Sequence, residues 1–137
     1  MASRASLVFL AFIVSFVVAP AVAFASLTEG TIDGTSKYAW SERIGWINFA
    51  TPGGNVRVTD SGITGYAWND SYGWINLNPA GSGVDNDAEG DLSGQAWGEN
   101  LGYVDFGAVT INASGRFTGT ASGTITGTVN FDCSQCT

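Results

Sequence analysis

The sequence predicts an all-β protein built from antiparallel β-hairpin repeats, and three observations predict it. One stretch is written three times, as YAWSERIGWINF (38–49), YAWNDSYGWINL (66–77) and QAWGENLGYVDF (95–106). The copies follow each other at 28 and 29 residues, a regular self-similarity that marks repeat architectures. Beyond residue 25, apolar residues alternate in steps of two and Gly interrupts every window long enough for a helix. Whether the hairpins form an open repeat sheet, a small sandwich or a barrel-like closure is not fixed by the pattern.

The chain begins differently. Arg4 supplies a positive start, Leu7 to Val18 an apolar run, and Pro20 precedes the small-x-small sites Ala21-Val22-Ala23 and Ala23-Phe24-Ala25. Residues 1–25 therefore read as a hydrophobic signal helix cleaved after Ala25. The alternative is a retained anchor, since roughly 20 apolar residues can span a bilayer. An exported protein is expected, secreted, extracellular or at the cell surface, with the periplasm as a further location. Residues 26–36 form an N-terminal extension or edge strand ahead of a β-repeat domain at 37–137.

Within that domain the repeats fall near 37–55, 56–83 and 84–108, with a degenerate copy at 109–131. In the last copy Gly119-Thr-Ala121-Ser122 answers Gly65-Tyr-Ala67-Trp68, and Gly127-Thr-Val129-Asn-Phe131 answers Gly73-Trp-Ile75-Asn-Leu77. Terminal repeats deviate in this way because one face lacks a neighbour. Each unit reads as three short strands. A V-x-V strand such as Val56-Arg57-Val58 turns through Asp60-Ser61-Gly62 into Ile63–Trp68. The loop 69–73 then returns the chain into Trp74–Leu77.

Side chains alternate across a strand, so the two faces can be assigned. Ala39, Ile47 and Phe49 share one face, as do Ile63, Ala67, Ile75 and Leu77; Leu92, Ala96, Val104 and Phe106; and Phe117, Ala121, Val129 and Phe131. This is the core face. The five-residue loop 41–45 sets Trp40 across from Trp46, and by the same count Trp68 faces Trp74 and Trp97 faces Tyr103. Asn48, Asn76, Asp105 and Asn130 share that second face.

Cys133 and Cys136 close the chain in DCSQCT. Haem attachment wants a following His where Thr137 stands, zinc wants four ligands, and a thioredoxin-like site wants a βαβ context. A local disulfide of an exported protein is the expected state. Past residue 25 the chain carries four basic and twelve acidic residues, a net charge of −8. That balance disfavours nucleic acid and anionic membranes as partners, so a membrane partner is expected only if the leader is retained.

At these residues the chain resembles the tandem G-Y-A-W-S-x-N-x-G-W-I-x-F tryptophan repeats of uncharacterised exported bacterial proteins. The likeness covers roughly residues 37–131. It implies a secreted or cell-surface bacterial β-repeat protein and brings no catalytic residues. The third copy departs from the pattern at Gln95 and Tyr103, and the fourth departs most.

The candidate ligand-binding or interface residues are Trp40, Trp46, Trp68, Trp74, Trp97, Tyr103, Asn48 and Asn76. Indole faces suit sugar rings, and the amides suit hydroxyls. The competing reading, which we favour, packs the stripe against a second sheet or a neighbouring subunit, because two-layer burial is the rule. Glu42, Asp70 and Glu99 occupy one loop position in three copies, where a glycosidase would need paired carboxylates. An acid recurring once per repeat is more simply turn chemistry. Asp85, Asp87 and Glu89, with Gly90 sixth in the run, have the spacing of a calcium loop. The twelfth position is Ala96 rather than Glu, so no EF-hand is expected and a solvated acidic turn is preferred. No cofactor is expected otherwise.

The function expected is that of a non-enzymatic surface or matrix protein that self-assembles or binds matrix components. A carbohydrate-binding module using the tryptophan face is the alternative.

Overall fold

The structure, a computed structural model, describes residues 29–133 and 136. The expected signal helix at 1–25 and its cleavage point lie outside the described residues. Twelve strands follow in chain order: β1 (Gly30–Thr31), β2 (Tyr38–Ser41), β3 (Gly45–Asn48), β4 (Arg57–Val58), β5 (Gly62–Thr64), β6 (Tyr66–Asn69), β7 (Gly73–Asn76), β8 (Val84–Asn86), β9 (Leu92–Gly98), β10 (Gly102–Ile111), β11 (Phe117–Gly123) and β12 (Gly127–Asn130). Every ladder is antiparallel.

The repeated stretch is a hairpin in every copy. Trp40 pairs with Trp46, Trp68 with Trp74, Trp97 with Tyr103, and in the degenerate copy Ser122 with Thr128. The four hairpins stand side by side. Asn48 pairs with Trp68, Asn76 with Trp97, Asp105 with Ser122, and Asn130 with Trp40. That last pairing returns to the first hairpin, so the sheet closes into an eight-stranded antiparallel barrel.

Closure follows from the width of the interior. Eight strands leave room for side chains alone, and small residues must alternate with large ones to fill it. Ala39, Ala67, Ala96 and Ala121, all at 0 % exposure, form the small set. Ile47, Ile75, Val104 and Val129 face them, with Phe49, Leu77, Phe106 and Phe131 one step further along. The loops supply a lid of Ile44, the partly buried Tyr72, Leu101 and the fully buried Thr126, one per hairpin.

Beyond the barrel the same strands run into a second tier. Its hairpins are β4–β5, β8 with the start of β9, and the end of β10 with the start of β11. Buried Val56, Val58, Ile63, Val84, Leu92, Val109 and Ile111 join the same core. A glycine marks each passage between tiers: Gly65, Gly94 and Gly119 have φ of 92°, 81° and 86°. Only Gly takes that conformation without strain.

β1 pairs with β4, Gly30 opposite Val58 and Thr31 opposite Arg57. The chain then turns at Asp33, whose Oδ1 accepts from the amides of Thr35 (2.6 Å) and Ser36 (3.1 Å). Those two bonds, with one from the Thr35 hydroxyl, hold the Asp33 carboxyl below its usual value. A depressed folded pKa gives stability that is present above the usual Asp range and lost as pH falls through the folded value. The protection of the Thr35 and Ser36 amides, taken relative to the intrinsic exchange rate at each pH, is therefore expected to fall as Asp33 is protonated in acid, and Asp33→Asn to remove most of that pH dependence.

Candidate functional site

The faces divide as the alternation predicts, but among the described residues no second sheet covers the outer face. The expectation that the stripe packs against another sheet is corrected. A barrel is one sheet closed on itself, so the concave face takes the core and the convex face is left outward. Tyr38, Trp40, Trp46, Tyr66, Trp74, Trp97 and Tyr103 are each between 37 % and 52 % exposed.

These rings form a belt. The strands that carry them, β2, β3, β6, β7, β9 and β10, are consecutive around the barrel. β11 and β12 interrupt the belt with Thr120, Ser122 and Thr128, all exposed. Within a hairpin the rings meet edge to face: Trp40–Trp46 at 4.7 Å, Trp68–Trp74 at 5.0 Å, with Tyr38 and Tyr66 against the same Trp46 and Trp74 at 5.8 and 6.1 Å. Trp97 and Tyr103 stand 4.6 Å apart. Such cross-strand pairs are worth up to about 1 kcal/mol each and fix the rings against one another.

Trp68 is fixed further, its indole N–H donating to Asp70 Oδ1 at 2.9 Å. That bond gives one of the three recurrent loop acids a local partner. Glu42, Asp70 and Glu99 stand exposed on successive hairpin loops, one per hairpin.

Asn48 and Asn76 lie among the rings, half-buried, but their Oδ1 atoms are engaged. Each accepts from the amide two residues on, Ala50 and Asn78, at 2.9 Å. Asp105 and Asn130 do the same for Gly107 and Asp132, at 2.7 and 2.8 Å. This recurrent polar position is thus a turn device that ends each hairpin, the Asx chemistry of tight turns.

Asp85, Asp87 and Glu89 do not converge. Asp87 Oδ1 accepts from the Glu89 and Asp91 amides at 2.9 and 3.0 Å, which makes the run a self-satisfied turn. Among the described residues no group of three or more acidic, His or Cys side chains is placed to hold a metal. Cys133 and Cys136 form a disulfide, with Cys136 buried against the end of β12 through Asn130 O.

Sequence reasoning missed the stitching of the rim. Asn69 Nδ2 donates to the carbonyls of Ile44 and Trp46 on the preceding hairpin, both at 2.9 Å. Ser41 Oγ donates to Thr126 O at 2.6 Å and Arg43 to Thr124 O at 3.0 Å, both across the closing seam. Its signal was a polar residue, Ser41 and Asn69, after the first Trp of each of the first two copies, a place where the alternation demands an inward side chain. No protein-family model, curated protein or solved structure matches the chain.

Proposed function

We propose that this is an exported, non-enzymatic structural protein of a bacterial surface or matrix, and that it associates with itself through the aromatic belt. The observation that carries this reading is the exposure of seven aromatic rings on consecutive strands of a barrel whose core is complete without them. Contiguous exposed apolar surface of this kind marks interaction sites. The tryptophan-repeat resemblance supports the bacterial, exported setting. The loop acids fit turn chemistry better than catalysis, since each belongs to a separate hairpin end.

The belt's height argues against a membrane-spanning role. Its hairpin strands are mostly four residues long, so the band is about 13 Å tall at 3.3 Å per residue. A lipid-facing band needs about 25 Å. The second tier breaks the apolar surface with exposed Arg57, Thr64, Asp85, Ser93 and Thr110.

Sedimentation of the exported protein over a concentration series tests the proposal. The unaltered protein is expected to associate, and Trp46→Ser with Trp74→Ser to remain monomeric while losing only about 1–2 kcal/mol of stability. A monomer at every concentration would remove self-association from the reading.

A second reading rests on how the rings are held. Edge-to-face pairs repeated on a rigid barrel, one of them pinned by Asp70, present preoriented indole faces to a repeating ligand such as a polysaccharide. Retention on insoluble glycans that disappears in the same double variant would favour this reading over self-association.

A further inference from the structure

The outward side chains are not spread evenly over the four units. On β2, β3, β6 and β7, neighbours in the barrel, every outward position is a ring or an amide. Tyr38 pairs with Asn48, Asn48 with Trp68 and Trp68 with Trp74, so one line of uncharged groups crosses all four strands. Trp40 and Trp46 extend it on one side, Tyr66 and Asn76 on the other. Charge returns only at the margins. Lys37 lies over the Tyr38 ring at 5.4 Å, Glu42 is followed by Arg43, and Asp70 accepts from the Trp68 indole.

The third unit is built differently. Residues 84–108 hold six of the twelve acidic residues, Asp85, Asp87, Glu89, Asp91, Glu99 and Asp105, and no basic one. All six are exposed. Residues 26–83 carry five acidic and three basic side chains, and residues 109–137 one of each, so the third unit supplies −6 of the −8 carried past residue 25. Its acids bracket its rings. Glu99 stands in the loop between Trp97 and Tyr103, while Asp105, opposite Gln95, lines one shallow groove with Asp85. The repeat itself changes there: Gln95, Tyr103 and Asp105 stand where the second unit has Tyr66, Trp74 and Asn76.

We propose that the uncharged face of β2, β3, β6 and β7 docks on the same face of a second copy, giving a closed dimer, and that the acids of the third unit keep Trp97 and Tyr103 out of the contact. The dimer rests on the self-association proposed above and gives it a surface and a limit. Charge decides which faces meet. Two third units brought together would set six carboxylates against six, and a third unit against the uncharged face would meet a flank that is itself net negative. Like-charge contacts of this kind suppress the wrong partner. The uncharged face meets its own copy without that penalty. A patch that contacts itself closes about a two-fold axis, whereas two different patches joined in series grow into a filament. The area agrees with a dimer of modest strength. An aromatic side chain offers about 150–250 Å². Five rings exposed by 37–45 %, with Trp68 and two amides half-buried among them, thus give about 500 Å² per copy and about 1,000 Å² for the pair. That is the lower bound of a specific interface, so the dimer is expected to dissociate at micromolar concentrations rather than to persist as an obligate one.

The test uses the exported protein, with sedimentation to follow its mass and hydroxyl-radical footprinting to follow each ring. Mass is expected to level off at the dimer as concentration rises. Over the same series, oxidation of Trp40, Trp46 and Trp74 is expected to fall at least about threefold, since the centre of a contact excludes solvent, while Trp97 and Tyr103 change by less than about 1.5-fold. Equal protection of Trp97 and Tyr103 in an associating protein would overturn the assignment of the face and leave self-association standing. Growth past the dimer would overturn the closed contact. A monomer at every concentration would remove self-association and this dimer with it. The acids are tested by combining Asp85→Asn, Glu99→Gln and Asp105→Asn. Asn at position 105 keeps the turn acceptor that Asn48 and Asn76 supply in their own units. This variant is expected to pass the dimer at concentrations where the unaltered protein stops. Its arrest at the dimer would overturn the role given to the acids.

Discussion

Gly94→Ala is expected to destabilise the protein by about 3–5 kcal/mol and to lower its thermal midpoint by roughly 15 °C or more. Two effects add at this site. The backbone sits at φ 81°, where a side chain costs about 1–2 kcal/mol. The added Cβ would also overlap the carbonyl oxygen of Gly83, a backbone atom that accepts the Gln95 amide at 3.0 Å. The strand cannot retreat from that oxygen without breaking the bond, and β9 serves both tiers, so the damage is shared by the whole core. Gly102→Ala separates the two effects. Its φ is 74°, but nothing stands within 4 Å of the new Cβ. That variant should lose only the conformational part, about 1–2 kcal/mol. Chemical denaturation of both decides it, and equal losses would show that conformation rather than close approach dominates.

The same glycine shows what was readable in advance. The hairpins and their faces were legible because both follow from local pattern: the spacing of Trp40 from Trp46 sets the register, and the alternation sends Ala39 inward. Closure was not legible. It depends on Asn130 reaching Trp40 across ninety residues of chain, and no local pattern reports the shear of a barrel. Of the two coverings expected for the aromatic face, the second sheet failed for the same reason. Packing against a second layer is the rule for an open sheet, whereas a closed sheet buries its core face against itself. Asn48 and Asn76 look like ligand groups in a sequence because an Asx turn and a binding amide use the same residue type. The recurring Gly of G-Y-A-W was visible, yet its role required knowing that a second carbonyl approaches the backbone at Gly65, Gly94 and Gly119.

Phe131→Ala is the second large effect, about 3–5 kcal/mol, against no more than about 1.5 kcal/mol for Phe131→Leu. Its ring stands 5.4 Å from Phe49, 5.8 Å from Phe106 and 5.9 Å from Phe117, so it ties the first, third and fourth units together. The seam it sits beside is short, with Val129 opposite Ser41 and Asn130 opposite Trp40. Removing the ring leaves a cavity where the barrel closes, and partial collapse would pull β12 away from β2. Thr128→Trp, on the outer face of the same strand, is expected to change stability by less than about 0.5 kcal/mol. The contrast bears on function. The fourth unit has lost both outer tryptophans, to Ser122 and Thr128, while keeping Ala121, Val129 and Phe131 inside. A fold that needed its outer rings could not have dropped them from the unit that closes it. On the proposed self-association the rings on the other three hairpins serve a contact outside the barrel, and Thr128→Trp should strengthen that association by extending the belt into its gap.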